Sequence, residues 1–133
     1  MKKSVIGEIG ELSVFMELLK KGYEAYRANS KIQKGWDIVV INKNTVKRIQ
    51  VKTTILKNKS TNNTFKVNNG YDIMVVVVID DKNRCEYNIL TKKEVSKILR
   101  ANNNKQLSIS KTKKGIRKIK DEISAQKNKW NKI

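Results

Sequence analysis

The stretch Tyr71–Ile79 limits the fold more than any other part of this chain. It is almost wholly apolar and holds four consecutive valines, Val75–Val78. A strand with one face in water alternates polar and apolar residues, whereas a continuous β-branched run belongs to a central strand covered on both faces. The chain therefore needs an apolar layer on each side of a sheet. Its 133 residues, 38% of them hydrophobic, suffice for one such core and not for two. A single domain over residues 1–133 is the expectation.

The neighbouring segments supply the layers. From about Ser4, a plausible N-cap, to Lys21, the residues Val5, Ile9, Leu12, Phe15, Met16 and Leu19 fall at helical spacing, and Gly22 stops the helix. Tyr23–Ala28 reads as a short strand and Asn29–Gly35 as a polar loop. Trp36–Ile41 and Val46–Thr54 form a hairpin about the Asn42-Lys43-Asn44 turn. Leu56–Gly70, rich in asparagine and lysine, reads as a loop. After the Asp80–Asn83 turn come a strand, Cys85–Leu90, and a helix opened by the capping box Thr91-Lys92-Lys93-Glu94. A second helix is predicted from about Thr112 to Lys129, within a basic helical tail over about 105–133. This order describes an α/β fold, a mixed β-sheet flanked by helices.

Thirty Lys and Arg against twelve acids leave a formal charge of +18, which points to a polyanionic partner. Histidine is absent, which excludes serine-type triads and histidine-ligated metals. The lone Cys85 has no disulfide partner and cannot build a zinc site. No run approaches the roughly twenty apolar residues of a membrane span, so no membrane association is expected. A cytoplasmic, intracellular setting follows, in which nucleic acid is the abundant polyanion. Carboxylates and lysines are left to do any chemistry.

Those residues stand in one pattern: Asp37, twelve intervening residues, then Gln50-Val51-Lys52. Residues two apart on a strand share a face, so Gln50 and Lys52 project together while Val51 packs on the other side, and Asp37 can reach them across the hairpin. A carboxylate and an amide oxygen there suit a hard cation such as Mg²⁺. A lysine beside the cation can orient or help deprotonate water and offset charge on a phosphate. Such a set performs phosphodiester hydrolysis.

The run Gly7-x-x-Gly10-Glu11 with Leu18, Leu19 and Gly22, then Gly35-Trp36-Asp37-Ile38-Val39-Val40, then Arg48-Ile49-Gln50-Val51-Lys52-Thr53-Thr54, resembles the PD-(D/E)XK nuclease superfamily. The branch it is most similar to holds group I intron homing endonucleases and archaeal Holliday-junction resolvases. The resemblance spans roughly Gly7–Leu99. It implies a restriction-endonuclease-like fold and a catalytic set of Glu11, Asp37, Gln50 and Lys52, with Glu11, Asp37 and Gln50 holding Mg²⁺ and Mn²⁺ able to substitute. Glu8 is the competing acid on nearly the same helix face. Gln50 departs from the Asp or Glu of the family's usual form, although the intron-endonuclease branch tolerates Gln there, and Trp36 stands where the family name has proline. Gly7 and Gly10 suit a helix lying close against the sheet.

DNA is the expected partner. Thr91–Ile133 carries fourteen Lys and Arg against three acids, and Lys111, Lys113, Lys114, Arg117, Lys118 and Lys120 are candidate phosphate contacts. Lys57, Lys59 and Lys66 in the Leu56–Gly70 segment are a second set. A homodimer is expected, since one active site per chain cuts both strands most simply with two-fold symmetry. Three readings share these residues: an endonuclease of duplex DNA resembling homing enzymes, a junction resolvase or other structure-specific nuclease, and an inactive DNA-binding domain that kept the scaffold.

Overall fold

The computed structural model of the chain describes residues 1–29, 35–56, 62–101, 106–111, 117–119 and 121–133. Helix α1 (Lys3–Lys20) is followed by strands β1 (Glu24–Arg27), β2 (Ile38–Asn42), β3 (Thr45–Ile55), β4 (Asn62–Lys66), β5 (Ile73–Ile79) and β6 (Cys85–Thr91). Then come helix α2 (Lys92–Ala101), strands β7 (Gln106–Lys111) and β8 (Arg117–Ile119), the short helix α3 (Asp121–Ser124) and a 3₁₀ turn at Trp130–Lys132.

Five strands form a mixed sheet in the order β1-β2-β3-β5-β6, antiparallel except for the parallel pair β3 and β5. Strand β5 lies inside the sheet, between β3 and β6, and all seven of its residues are buried. Its valines divide by parity, as side chains on a pleated strand must. Val75 and Val77 pack with Val14 and Leu18 of α1 and with Trp130, while Val76 and Val78 pack with Val95 and Ile98 of α2, Leu107 of β7 and Ile123 of α3. Each fully buried valine contributes about 1.5–3 kcal/mol, so the four-valine run ties both covering layers to one strand.

Helix α1 begins two residues past Met1 with Lys2 at its N-cap, not Ser4, and no side-chain capping bond is made. The capping box of α2 does form. Thr91 Oγ1 accepts from the Glu94 amide at 3.2 Å, and Glu94 Oε1 accepts from the Thr91 amide at 2.9 Å. Lys132 Nζ then donates to Glu94 Oε1 and to the Ile89 carbonyl, at 2.8 and 2.9 Å, so the C-terminal turn is latched to the start of this helix. Thr91→Ala is expected to cost about 1 kcal/mol, the usual worth of an N-cap, read as a lower midpoint in urea with an unchanged slope. No loss would mean that the Lys132 latch alone sets the helix start.

Two expectations are corrected. The Leu56–Gly70 segment contains strand β4, and the region assigned to a helix over Thr112–Lys129 contains β8 and the four-residue α3. Strands β4, β7 and β8 form a second sheet in the order β4-β7-β8. Phe65 lies opposite Leu107, and Ile109 opposite Ile119. Cross-strand pairing of β4 with β7, more than forty residues on, replaces the loop and helix that local pattern suggests.

Candidate active site

Strand β3 changes partners along its length. Thr45–Ile49 pairs with β2 and Ile49–Ile55 pairs with β5, so beyond Ile49 the β2-side edge of β3 has no strand against it among the described residues. An amide on such an edge needs another acceptor. The Val51 amide finds it in Asp37, donating to Oδ2 at 2.7 Å. Asp37 is itself fixed by its backbone, its amide donating to Ile49 O and its carbonyl accepting from the Ala28 amide, both at 2.8 Å. The carboxylate is therefore held where the sheet forks.

Ile49 and Val51 belong to the core beneath α1, so Gln50 and Lys52 point to the opposite face of β3. Ile38 lies opposite Ile49 in the register, which sets the preceding Asp37 across from Gln50. Gln50 is only 5% exposed, yet its Oε1 accepts no hydrogen bond among the described residues. Leaving a buried carbonyl oxygen unsatisfied costs about 1–3 kcal/mol. An oxygen kept in that state invites a ligand.

Helix α1 delivers Glu11 to the fork. The approach is close because Gly10 is buried against β3: a Cβ there would stand 2.8 Å from Thr53 Cβ and overlap Thr53 Oγ1. Gly7, by contrast, has nothing within 4 Å of where its Cβ would be, so close packing explains only the second glycine. The Glu11 and Asp37 carboxyl groups lie close enough to act on each other electrostatically. Burial is the main cause that lifts Asp37 above the ordinary carboxylate range, opposed by the Val51 amide and then by the Lys52 ammonium. Glu11 is also lifted, first by burial and then by the charge of Asp37. Arg27, which no sequence pattern marks, opposes this: its Nη2 donates to Glu8 Oε1 at 2.7 Å and to Glu11 Oε2 at 3.3 Å. Glu8 is thus turned toward Arg27, while Glu11 faces both Arg27 and Asp37.

Two carboxylates and a buried amide oxygen make an all-oxygen donor set, the kind that holds a hard divalent cation. Among the described residues no group of three or more His, Cys, Asp or Glu is placed to hold a metal ion, so a third protein donor would have to be an amide or carbonyl oxygen. Beside Lys52 opens a cleft of about 540 Å³ between α1, β3 and β4, lined by Lys3, Gly7, Lys52, Thr54, Thr64 and Phe65.

The candidate DNA-contacting residues come from two segments that the second sheet brings together. Lys66 is exposed at the end of β4, Lys111 lies opposite Arg117 between β7 and β8, and Lys118 is next to Arg117 on β8. Lys57, Lys59, Lys113, Lys114 and Lys120 lie outside the described residues.

The profile of one family, PD-(D/E)XK endonuclease, matches residues 1–110, which takes in α1, the fork and the whole five-stranded sheet. The chain belongs to the PD-(D/E)XK endonucleases. Its fold is restriction-endonuclease-like, and two solved structures share it. One is a bacterial homing endonuclease, I-Ssp6803I, at 14% identity and a TM-score of 0.64, covering 98% of this chain and 92% of that one. The other is Archaeoglobus fulgidus Hjc, a Holliday junction resolvase from an archaeal hyperthermophile, at 17% identity and a TM-score of 0.50, covering 90% and 88%. No curated protein matches the chain. PD-(D/E)XK endonucleases generally use divalent metal ions, and the oxygen donors at this fork fit one. No helix among the described residues is long and apolar enough to cross a membrane.

Proposed function

We propose that this PD-(D/E)XK endonuclease is a metal-dependent enzyme that hydrolyses phosphodiester bonds in double-stranded DNA, in the manner of a homing endonuclease. The observation that carries the reading is the fork of β3, where Asp37 is held by the Val51 amide within electrostatic reach of Glu11 and Lys52, with Gln50 across from it in the strand register and its Oε1 buried without a hydrogen-bond donor among the described residues. Glu11, Asp37 and Gln50 would hold the cation, Mg²⁺ by ordinary availability with Mn²⁺ as a substitute. Bound there, it supplies Lewis acidity toward the phosphate and an acidified water.

The rest is done by the chain. The Val51 amide keeps the Asp37 carboxylate from turning away, which spares the reorganisation that a free side chain would need. Lys52 offsets the charge that grows on the phosphate and orients the attacking water. Lys3 and Phe65, which line the cleft with Lys52, give the strand a charged and an aromatic wall. The basic residues of the second sheet extend that path. The +18 charge supports a DNA-sized polyanion as substrate, with affinity that falls as salt rises.

A carboxylate whose folded-state pKa is raised contributes stability that is fully present below its unfolded pKa and is lost as pH rises through the folded value. For Glu11 and Asp37 both shifts are upward, so at neutral pH the metal-free fork is a source of strain. A cation that binds it removes that strain. Adding 10 mM Mg²⁺ at pH 7.5 is expected to raise the thermal midpoint by about 5 °C, on the order of 1–2 kcal/mol of binding linkage. The rise should vanish as pH falls into the carboxylate range. Asp37→Asn, which keeps an acceptor for the Val51 amide, should raise the metal-free midpoint at pH 7.5 and lose the Mg²⁺ response. An unchanged response in Asp37→Asn would remove Asp37 from the metal set.

The functional test is cleavage of a supercoiled plasmid, linear duplexes and a four-way junction with Mg²⁺, Mn²⁺ or EDTA. Metal-dependent cutting at one duplex site supports the homing mode. Cutting confined to the junction replaces it with a resolvase. Tight binding with no cutting in any metal leaves a DNA-binding domain on a nuclease scaffold.

A further inference from the structure

Exposed large hydrophobic residues gather on one helix. Among the described residues these are Met1, Val5, Leu12, Met16 and Leu19, all in or beside α1, with only Tyr26 and Val46 elsewhere. At 100° per residue, Val5, Leu12, Met16 and Leu19 fall within a stripe roughly 60° wide. The stripe lies on the side of the helix away from Val14 and Leu18, which are fully buried against the sheet. The helix is therefore apolar on two faces, and the sheet covers one of them.

The charge around the stripe separates it from the rest of the chain. Between Lys3 and Lys20 the sequence contains Glu8, Glu11 and Glu17 and no basic residue, on a molecule with a net charge of +18. A polyanion is repelled by such a face. Two copies of a strongly basic chain, in contrast, can approach there with the least mutual repulsion. The spacing is also self-complementary. Counting from Leu12, Val5 lies seven residues before and Leu19 seven after, while Ile9 lies three before and Phe15 three after. Two antiparallel copies of α1 crossing at Leu12 would set Val5 of each against Leu19 of the other, Leu12 against itself, and Met16 beside Glu8 and Ile9. An isologous two-fold contact demands that reciprocity, and antiparallel helices also oppose their dipoles favourably.

We propose that this stripe is the contact between two copies of the chain, forming a homodimer through antiparallel packing of α1 about Leu12. The contact does not depend on the nuclease reading, since it is judged by mass and cross-linking rather than cleavage. Lys2 and Lys20 lie at the two ends of the helix, beside the stripe, and approach each other across the two-fold. Added salt screens them, so association strengthens from 0.1 to 0.5 M NaCl, opposite to the response of DNA binding.

Sedimentation of the full chain without DNA tests it, with Leu12→Glu and Met16→Glu as variants. Both positions are roughly half-exposed, so the fold tolerates the change. The expected result is twice the chain mass for the wild type at tens of micromolar and association weakened about a hundredfold in either variant. Cross-linking fixes the geometry. In a Cys85→Ser background, Leu12→Cys should oxidise to a disulfide-linked dimer, whereas Val5→Cys should do so only when mixed with Leu19→Cys. A monomer at all concentrations and salts overturns the proposal. So does a dimer whose mass is indifferent to both glutamates, or one in which Val5→Cys couples to itself as readily as Leu12→Cys.

Discussion

Asp37→Ala and Lys52→Ala are each expected to lower metal-dependent plasmid cleavage by about a thousandfold or more, while DNA binding in EDTA changes little. The size follows from what each group does. Asp37 is the carboxylate fixed at the fork by the 2.7 Å bond from the Val51 amide, and its loss would remove a charged ligand of the proposed cation and leave that amide without its acceptor. Lys52 is the ammonium that acts on Asp37 and lines the cleft. Removing a group that stabilises charge developing in the transition state typically costs a factor of a hundred to a thousand, and a metal ligand more. Neither side chain is a core residue, since both are partly exposed, so the fold survives. Gel-shift affinity provides the control: one phosphate-facing lysine lost from a chain carrying thirty Lys and Arg changes binding only modestly. The pair Asp37→Asn and Lys52→Arg refines the reading. Asn keeps the bond from Val51 without the charge, and Arg keeps the charge in another shape, so loss in both would tie activity to a compact cation facing an ionised acid. Cleavage that persists at wild-type rate in either alanine variant would displace that residue from the site.

Much of this arrangement is legible in the sequence, and the unread parts have a common cause. The parity of Gln50 and Lys52 needs only the two-residue period of a strand, and their position opposite Asp37 needs only a hairpin with a short turn. The burial of Tyr71–Ile79 on both faces follows from four valines in a row. What escapes is everything set by a partner distant in sequence. The bond from Val51 to Asp37 exists because β3 leaves β2 at Ile49 and continues along β5, and no local pattern records that change. Strand β4 reads Asn-Asn-Thr-Phe-Lys, poor in β-formers, and gains its form by pairing with β7. Arg27 reaches Glu8 and Glu11 across 19 and 16 residues of chain, with nothing in its own surroundings to mark it.

The same substitution at two glycines three residues apart should move stability in opposite directions. Both glycines lie inside α1, where Gly→Ala ordinarily adds about 0.5–1 kcal/mol by relieving the backbone entropy cost. At Gly7 no atom opposes the new methyl, so Gly7→Ala should raise the thermal midpoint by about 2–4 °C. At Gly10 the methyl would overlap Thr53 Oγ1 and stand 2.8 Å from Thr53 Cβ, a branched side chain on a strand held in place by its pairing with β5. Overpacking of that kind costs about 1–3 kcal/mol or more, which exceeds the helix-propensity gain, so Gly10→Ala should lower the midpoint by about 5 °C. Thr53→Ala removes Oγ1 but leaves Cβ in the way and should rescue only part of the loss. Thr53→Gly clears the contact, so the coupling in the Gly10→Ala, Thr53→Gly cycle should recover most of it. Catalysis gives a second readout of the same contact. Gly10 precedes Glu11 and Thr53 follows Lys52, so pushing helix from strand separates Glu11 from the fork, and cleavage by the folded Gly10→Ala chain should drop by more than its folded fraction explains. If Gly10→Ala instead proves as stabilising as Gly7→Ala, α1 does not rest against Thr53, and the route by which Glu11 reaches Asp37 is wrong.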